Sequence, residues 1–279
     1  MPIRLYEMRT VLSIAGSDCS GGAGIQADLK TCAALGVYCC TAITAVTVQN
    51  PSGVKAVNYV GDNTLRSQFD AVLESIRPDA VKIGMLPCKS AVETVADMII
   101  RSKLKNIILD PVLSATSGAS LSGNDNHERT DTISALKTML FPLCTLVTPN
   151  MPELNILGEE LMHLTTYRHS MLLESWHCEN ILIKGGHNQS DHCTDILVTH
   201  DGETAYTAPR IYTTHTHGTG CTLSSAIASY LAKGENLKNA VKAAKEFTTM
   251  CISRASETSL FPDNGPLIHF LPDSSRFSI

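Results

Sequence analysis

Short β-branched runs alternate with longer stretches of helical periodicity along almost the whole chain, and this alternation limits the fold more than any other feature. "TVLSIAG" at 10–16 reads as a strand, since its apolar residues run without a break. "GIQADLKTCAALG" spaces its apolar residues for a helix that Gly36 closes. "YCCTAITAVTVQ" follows as an extended buried segment. The periodicity then predicts a helix over 64–76, a strand in "AVKIGML" and a helix over 90–101. Three compact apolar strands end in polar or glycine residues: "NIILD" at Asp110, "CTLVTPN" at Asn150 and "NILIKGG" at Gly186. "TDILVTHDGETAYTA" predicts a hairpin turning at Asp201 and Gly202, and helices over 218–233 and 236–256 complete the pattern. Such a rhythm implies an α/β fold, a mostly parallel sheet with helices on both faces. Ligands of these sheets sit beyond the carboxyl ends of the strands. Gln49, Asp110, Asn150 and Lys184 are therefore expected along one edge.

Composition supports this reading and removes several others. Apolar residues make up 43% of the 279, charged residues 18% and aromatics 5%, which suits a sheet buried between helices. A net charge of -5 with no polybasic run makes nucleic acid a poor partner. "MPIRLYEMRTVLSIAG" lacks the pattern of a secretory signal, and no apolar run reaches the roughly 18 residues of a membrane span. The expectation is a cytoplasmic protein with no membrane partner. Its ten cysteines are scattered without a C-x-x-C pair and read as reduced thiols. "NQS" at 188–190 matches a glycosylation acceptor by chance on the same reading. No linker divides the chain, so 1–279 is taken as a single domain with its core at about 10–270. The stretch 116–131 is the longest irregular one and reads as a mobile loop.

Five segments could carry chemistry. In "HGTGC" the backbone amides of Gly218, Thr219, Gly220 and Cys221 would point out of a helix start, where the helix dipole favours an anion. The plainer alternative is an N-terminal cap supplied by the Thr219 hydroxyl. Cys221, placed there, is expected to have a lowered thiol pKa and to act as a base toward a substrate hydroxyl. "AGSDCSGGAGIQAD" is a Gly-rich turn without the G-x-G-x-x-G spacing, and no G-x-x-x-x-G-K-[ST] exists, which disfavours dinucleotide and P-loop enzymes. Its Asp18 and Asp28 could hold a small polar ligand, or Asp18 could cap the turn. "TPNMPELNIL" sets Asn150 and Glu153 three apart at a helix start. Glu153 is either a first-turn acid or, with Asn150 and Asp110, one of three oxygen donors suited to Mg²⁺. Lys184 is a cation at a strand end, or an ordinary snorkelling lysine. His187, His192, Cys193, His215 and His217 have no spacing known for structural zinc.

Together "IAGSDCSGGAGIQADLKT", "ITAVTVQN", "VKIGML", "LDPV", "TPNMPE", "IKGGH" and "THGTGCTLSSAIA" resemble the hydroxymethylpyrimidine kinase/phosphomethylpyrimidine kinases of thiamine biosynthesis, in the ribokinase-like superfamily. The resemblance runs from about Val11 to His269. It implies a three-layer αβα sandwich, usually as a homodimer. It also implies that ATP and Mg²⁺ are used to phosphorylate 4-amino-5-hydroxymethyl-2-methylpyrimidine and then its monophosphate. By motif match, Gly16, Asp28, Gln49, Met85 and Val112 line the pyrimidine site. Gln49 carries both a donor and an acceptor for an aminopyrimidine edge, and Met85 packs on the ring. Lys184, Asn150, Thr219 and Gly220 fall on the nucleotide motifs, and Glu153, Asn150 and Asp110 on the metal motif. Gly218 to Cys221 form the anion hole, with Cys221 where related sugar kinases carry Asp. Whether a monovalent cation assists is left open.

The chain departs from the family pattern where Thr214 and His215 replace Lys and Asn, and where Thr116 replaces Lys. Two cations that could meet phosphate are missing, so the second phosphorylation is expected to be the weaker. One rival is a vitamin B6 kinase, using the same hydroxymethyl chemistry. Another is a catalytically silent pyrimidine-binding protein, against which the retained Asn150, Glu153, Lys184 and anion loop argue.

Overall fold

The computed structural model describes residues 7–50, 53–113, 126–162, 164, 168–186, 190–258, 261 and 263–270. Strands and helices alternate in it as the sequence predicts. β1 (Thr10–Asp18) leads to α1 (Gly24–Ala34), β2 (Tyr38–Asn50), β3 (Gly53–Tyr59) and α2 (Asp62–Leu73). β4 (Ala80–Ile83), α3 (Lys89–Ser102), β5 (Ile107–Leu109) and α4 (Asn126–Ala135) follow. Next come β6 (Leu146–Val147), α5 (Met151–Leu157), α6 (Glu159–Met162), α7 (Ser170–Trp176) and β7 (Ile181–Ile183). β8 (His192–Thr199), β9 (Gly202–Pro209), α8 (Thr219–Ala232) and α9 (Leu237–Ser256) complete the order.

Among the described residues the strands form one sheet, in the order β3-β2-β1-β4-β5-β6-β7-β8-β9. Pairing is parallel from β2 through β7 and antiparallel at β3, β8 and β9. The central strands are buried on both sides, so their side chains sort by alternation. Leu12, Ile14, Val81, Ile83, Ile107 and Leu109 enter one core with Phe69, Val92 and Trp176 from the helices of that face. Val11, Ala80, Ile108, Leu146 and Leu182 enter the other, with Leu223 and Ile227 of α8 and Ala240 and Val241 of α9. The result is the three-layer αβα sandwich. No described helix is long and apolar enough to cross a membrane.

Three local expectations change. The β8–β9 hairpin pairs Thr199 with Gly202, so it turns at His200 and Asp201, one residue earlier than predicted. Gly202 instead opens β9 with φ +124°, a conformation suited to glycine. The stretch read as a loop over 116–131 begins α4 at Asn126; the rest of it lies outside the described residues, as do His187 and the start of "NQS". β3, absent from the sequence reading, is a half-exposed antiparallel edge strand with no buried apolar run to announce it.

This topology positions the site. From β1 the chain moves outward to β2, then returns to place β4 on the opposite side of β1. That reversal opens a crevice at the carboxyl ends of β1 and β4.

Candidate functional site

The crevice is a cavity of about 140 Å³. Ala15 to Asp18 border it from the end of β1, Ala23 and Gly24 from the start of α1, and Thr47 and Gln49 from β2. Met85, Asp110, Asn150 and Lys184 reach it from beyond β4, β5, β6 and β7, with Val112, Glu153, Lys82, His217, Gly218, Gly220 and Cys221 completing the wall. The four strand-end residues expected on one edge thus share one cavity.

At one end, α8 starts without a side-chain cap. Its N-cap is Gly218 at φ +86°, and the first i→i−4 bond of the helix runs from Thr222 N to Gly218 O. Thr219 N and its hydroxyl both turn back to the Thr216 carbonyl, at 3.2 and 2.7 Å. The capping reading for that hydroxyl is therefore set aside. The amides of Gly220 and Cys221 precede the helical ladder and have no carbonyl of their own turn. α1 likewise begins at the cavity without a side-chain cap, and its Gly24 amide favours the charged form of the Cys221 thiol. Two helix starts therefore bring positive dipole ends to one space.

The two glycine loops are locked together. Asp18 accepts from Ser20 N, Gly22 N and Ala23 N, which caps the turn as one sequence alternative had it. His217 Nε2 donates to Asp18 Oδ2 at 2.8 Å, tying this turn to the anion loop. Burial opposes the charge of Asp18, but hydrogen bonds from His217, Ser20 and Gln49 outweigh it and hold its carboxyl well below the usual range. His215 Nδ1 accepts from Gly265 N, so the residue standing for the family's Asn faces the segment after α9.

At the other end lies a cluster of ionisable groups. Lys184 Nζ donates to Asp110 Oδ1 at 2.6 Å and stands 3.8 Å from Glu153 Oε2. It is not a snorkelling lysine, being largely buried between two buried carboxylates. Burial works against its charge, and Asp110 and Glu153 more than restore it. Burial pushes the Glu153 carboxyl up, Lys184 pulls it down and Asp110 raises it again. Asn150 and Glu153 also form a capping box on α5: Glu153 N donates to Asn150 Oδ1 and Asn150 N to Glu153 Oε2, both at 2.8 Å. Asn150 is thus occupied as a cap, while two carboxylates face a single ammonium. That surplus of negative charge and hard oxygen donors fits Mg²⁺ at Asp110 and Glu153.

Between these ends, Met85 packs with Ala45, Val54, Val57 and Val112, and Thr44 Oγ1 donates to its carbonyl. A Cβ on Gly16 would stand 2.8 Å from Met85 Cε, so the bare strand end lets the methionine methyl lie against it. Gln49 borders the cavity because β2 alternates Thr47 and Gln49 inward against exposed Val46 and Val48.

Two expectations fail for physical reasons. Asp28 does not border the cavity: it is fully buried, and its carboxylate accepts from Lys82, Ser13 and Ser225. The Cys221 thiol is not lowered by its helix end. Burial pushes it up to about 11; Lys82 and the Gly24 amide pull it down, while Asp28 and Asp110 raise it. Sequence reasoning also passed over Lys82, and weighed His217 only as a zinc ligand. The signal for Lys82 was present, a lone charge inside the apolar run "AVKI".

Comparison with known proteins agrees with this geometry. The family model for phosphomethylpyrimidine kinase matches residues 18–267. A hydroxymethylpyrimidine/phosphomethylpyrimidine kinase of Escherichia coli is 39% identical over 263 residues, covering 93% of this chain and 96% of its own. A solved phosphomethylpyrimidine kinase of Clostridium difficile superposes with a TM-score of 0.73 at 35% identity, covering 88% of this chain and 99% of its own. A pyridoxal kinase of Bacillus subtilis, solved as an ADP complex, superposes with a TM-score of 0.79 at 34% identity, covering 94% and 98%. With a family match that takes in the turn from Asp18 to Gly24, the Gly218 to Cys221 loop and the ion cluster, this chain belongs to the phosphomethylpyrimidine kinase family.

Proposed function

We propose that this protein transfers the γ-phosphoryl group of ATP to the hydroxymethyl group of 4-amino-5-hydroxymethyl-2-methylpyrimidine, and then phosphorylates the monophosphate, for thiamine biosynthesis. The observation that carries this reading is the joining, in one cavity, of the uncapped start of α8, the Cys221 thiol and the Gln49 amide. The pyrimidine lies between Gln49, which pairs with its amino edge, and the apolar patch of Met85 and Val112. That places its hydroxyl toward Cys221. Lys184 and the amides of Gly220 and Cys221 receive the phosphate charge, so positioning and electrostatics supply most of the rate. Mg²⁺, held by Asp110 and Glu153 with Asn150 capping the helix that carries Glu153, would neutralise phosphate charge. The acceptor hydroxyl gives its proton to the Cys221 sulfur as its oxygen bonds to phosphorus and the bond to ADP breaks. Val46 and Val48 on the exposed side of β2 offer an apolar face on which the expected homodimer would close.

The test is an ATP-consumption assay with the pyrimidine alcohol, its monophosphate and pyridoxine as parallel acceptors. The alcohol is expected to turn over fastest. The monophosphate should be slower, since Thr214 and His215 replace a Lys and an Asn. The fold likeness to a solved pyridoxal kinase makes pyridoxine the comparison that decides; preference for it would overturn the pyrimidine assignment, and no ATP use with any acceptor would leave a binding protein.

Thiol chemistry adds a pH dependence. With its pKa at about 11, Cys221 is almost wholly protonated at neutral pH. If the thiolate is the obligatory base, kcat rises about tenfold per pH unit from 7 to 9. Cys221→Ala then loses on the order of a hundredfold in kcat at pH 8, within the range of general-base effects. A flat profile together with near-full turnover of the Ala variant would assign the sulfur no proton.

A further inference from the structure

Lys82 is a charged group of this region that the chemistry above does not use. It lies within β4, fully buried, and still borders the cavity beside Cys221. Its ammonium donates to both oxygens of Asp28, at 2.9 and 2.8 Å. Asp28 in turn accepts from Ser13 Oγ at 2.6 Å and Ser225 Oγ at 2.7 Å. Ser225 follows Cys221 by one helical turn on α8, so one helix face carries both the thiol and the hydroxyl that grips Asp28. A buried ion pair of this kind is seldom kept for stability, because well-packed apolar residues commonly do as well. What apolar residues could not supply is a positive charge behind the thiol.

Among the described residues, the charged groups that act on Cys221 include Lys82 from β4, Asp28 from α1, Asp110 from beyond β5 and Lys184 from beyond β7. Asp110 and Lys184 are paired with each other. Of the other two, Lys82 favours the thiolate and Asp28 opposes it, and Lys82 borders the cavity with Cys221 whereas Asp28 does not. We infer that Lys82 is a positioning residue for phosphoryl transfer: its ammonium, offset by Asp28 and Ser225, stabilises the thiolate of Cys221 that takes the proton of the acceptor hydroxyl. Asp28, which by motif would contact the pyrimidine, acts through Lys82 and Cys221 instead.

This inference rests on the kinase reading, so its test is made on the thiol alone. The full-length protein is treated with iodoacetamide across pH 7–10, and alkylation of Cys221 is followed by peptide mass spectrometry, with circular dichroism as the check on folding. Asp28→Asn leaves the ammonium unopposed, and Cys221 should react about tenfold faster at pH 8, its reactivity profile moving down by about one pH unit. Asp28→Asn with Lys82→Met removes both charges, and Cys221 should react more slowly than in the unaltered protein. Opposite displacements of this kind are not expected of a merely structural pair. Ser225→Ala keeps both charges, and because it strips one donor from Asp28 it should slow Cys221 two- to threefold even if the other variants do not fold. Equal alkylation in all folded variants, or displacement in one direction only, overturns the inference. Failure of the kinase reading would show separately, as absent ATP turnover in the unaltered protein.

Discussion

Gly218→Ala should lose more than about a hundredfold in kcat and several degrees of thermal stability together. Gly218 sits at φ +86°, a backbone region that costs an L-residue roughly 1–2 kcal/mol. A Cβ there would also lie 1.9 Å from the Gly22 carbonyl oxygen and 2.9 Å from its carbon. Gly22 cannot retreat at low cost. Its amide is held by Asp18, and a Cβ of its own would meet the His217 ring at Cδ2 at 2.2 Å, so Gly22 is hemmed in by the Gly218 backbone on one side and the His217 ring on the other. Relief therefore separates the anion loop from the Asp18 turn and carries the Gly220 and Cys221 amides with it. Losing one such donor costs a factor of about 10²–10³, and an ångström of misplacement about 10². Gly36→Ala is the matched comparison: φ is +69° there, but nothing stands within 4 Å of a new Cβ. That variant should show the strain alone, about 1–2 kcal/mol, with kcat unchanged. Steady-state kinetics and thermal unfolding of both variants check this. A Gly218→Ala enzyme that kept more than a tenth of its kcat would mean that the loops can part without harm.

The same contrast between local pattern and long-range contact explains what could be read from the chain. Runs such as "NIIL" and "NILI" identified their strands because central parallel strands are buried on both faces and must be apolar throughout. Their ends then identified Asp110, Asn150 and Lys184 as neighbours, since carboxyl ends of parallel strands share an edge. β3 escaped notice because "GVKAVNY" is a half-exposed antiparallel edge strand. The glycines of "HGTGC" announced a bare helix start, which the geometry of α8 matches. For Asp28 the motif marked the residue but not its facing: its partners Lys82 and Ser225 lie 54 and 197 residues away. Cys221 shows the same limit from another direction. A helix end lowers a thiol pKa, but the opposing effect of burial depends on the cavity wall, which no local pattern encodes.

Lys184→Met provides the sharpest probe of the ion cluster. Removing one partner from a buried ionic arrangement costs about 3–5 kcal/mol, because the remaining charge is left uncompensated. Here two carboxylates lose their cation at once, Asp110 at 2.6 Å and Glu153 at 3.8 Å, and both are shut away from water. Denaturant unfolding at pH 7.5 should register that loss, alongside a rise of at least tenfold in the KM for ATP, which Lys184 is proposed to meet. The loss should also depend on pH, with a definite sign. Without the lysine, the Glu153 carboxyl titrates in the folded protein further above its unfolded value, in the direction burial already moves it. As pH falls through that raised value the folded state takes up a proton that the unfolded state does not yet bind, so the penalty shrinks. The stability gap between the variant and the unaltered protein should therefore narrow from pH 7.5 toward pH 5. A gap that stayed constant over that interval would mean the methionine acts through packing, with Asp110 and Glu153 finding other partners; a narrowing gap identifies Lys184 as the cation that keeps the buried Glu153 carboxylate charged beside Asp110.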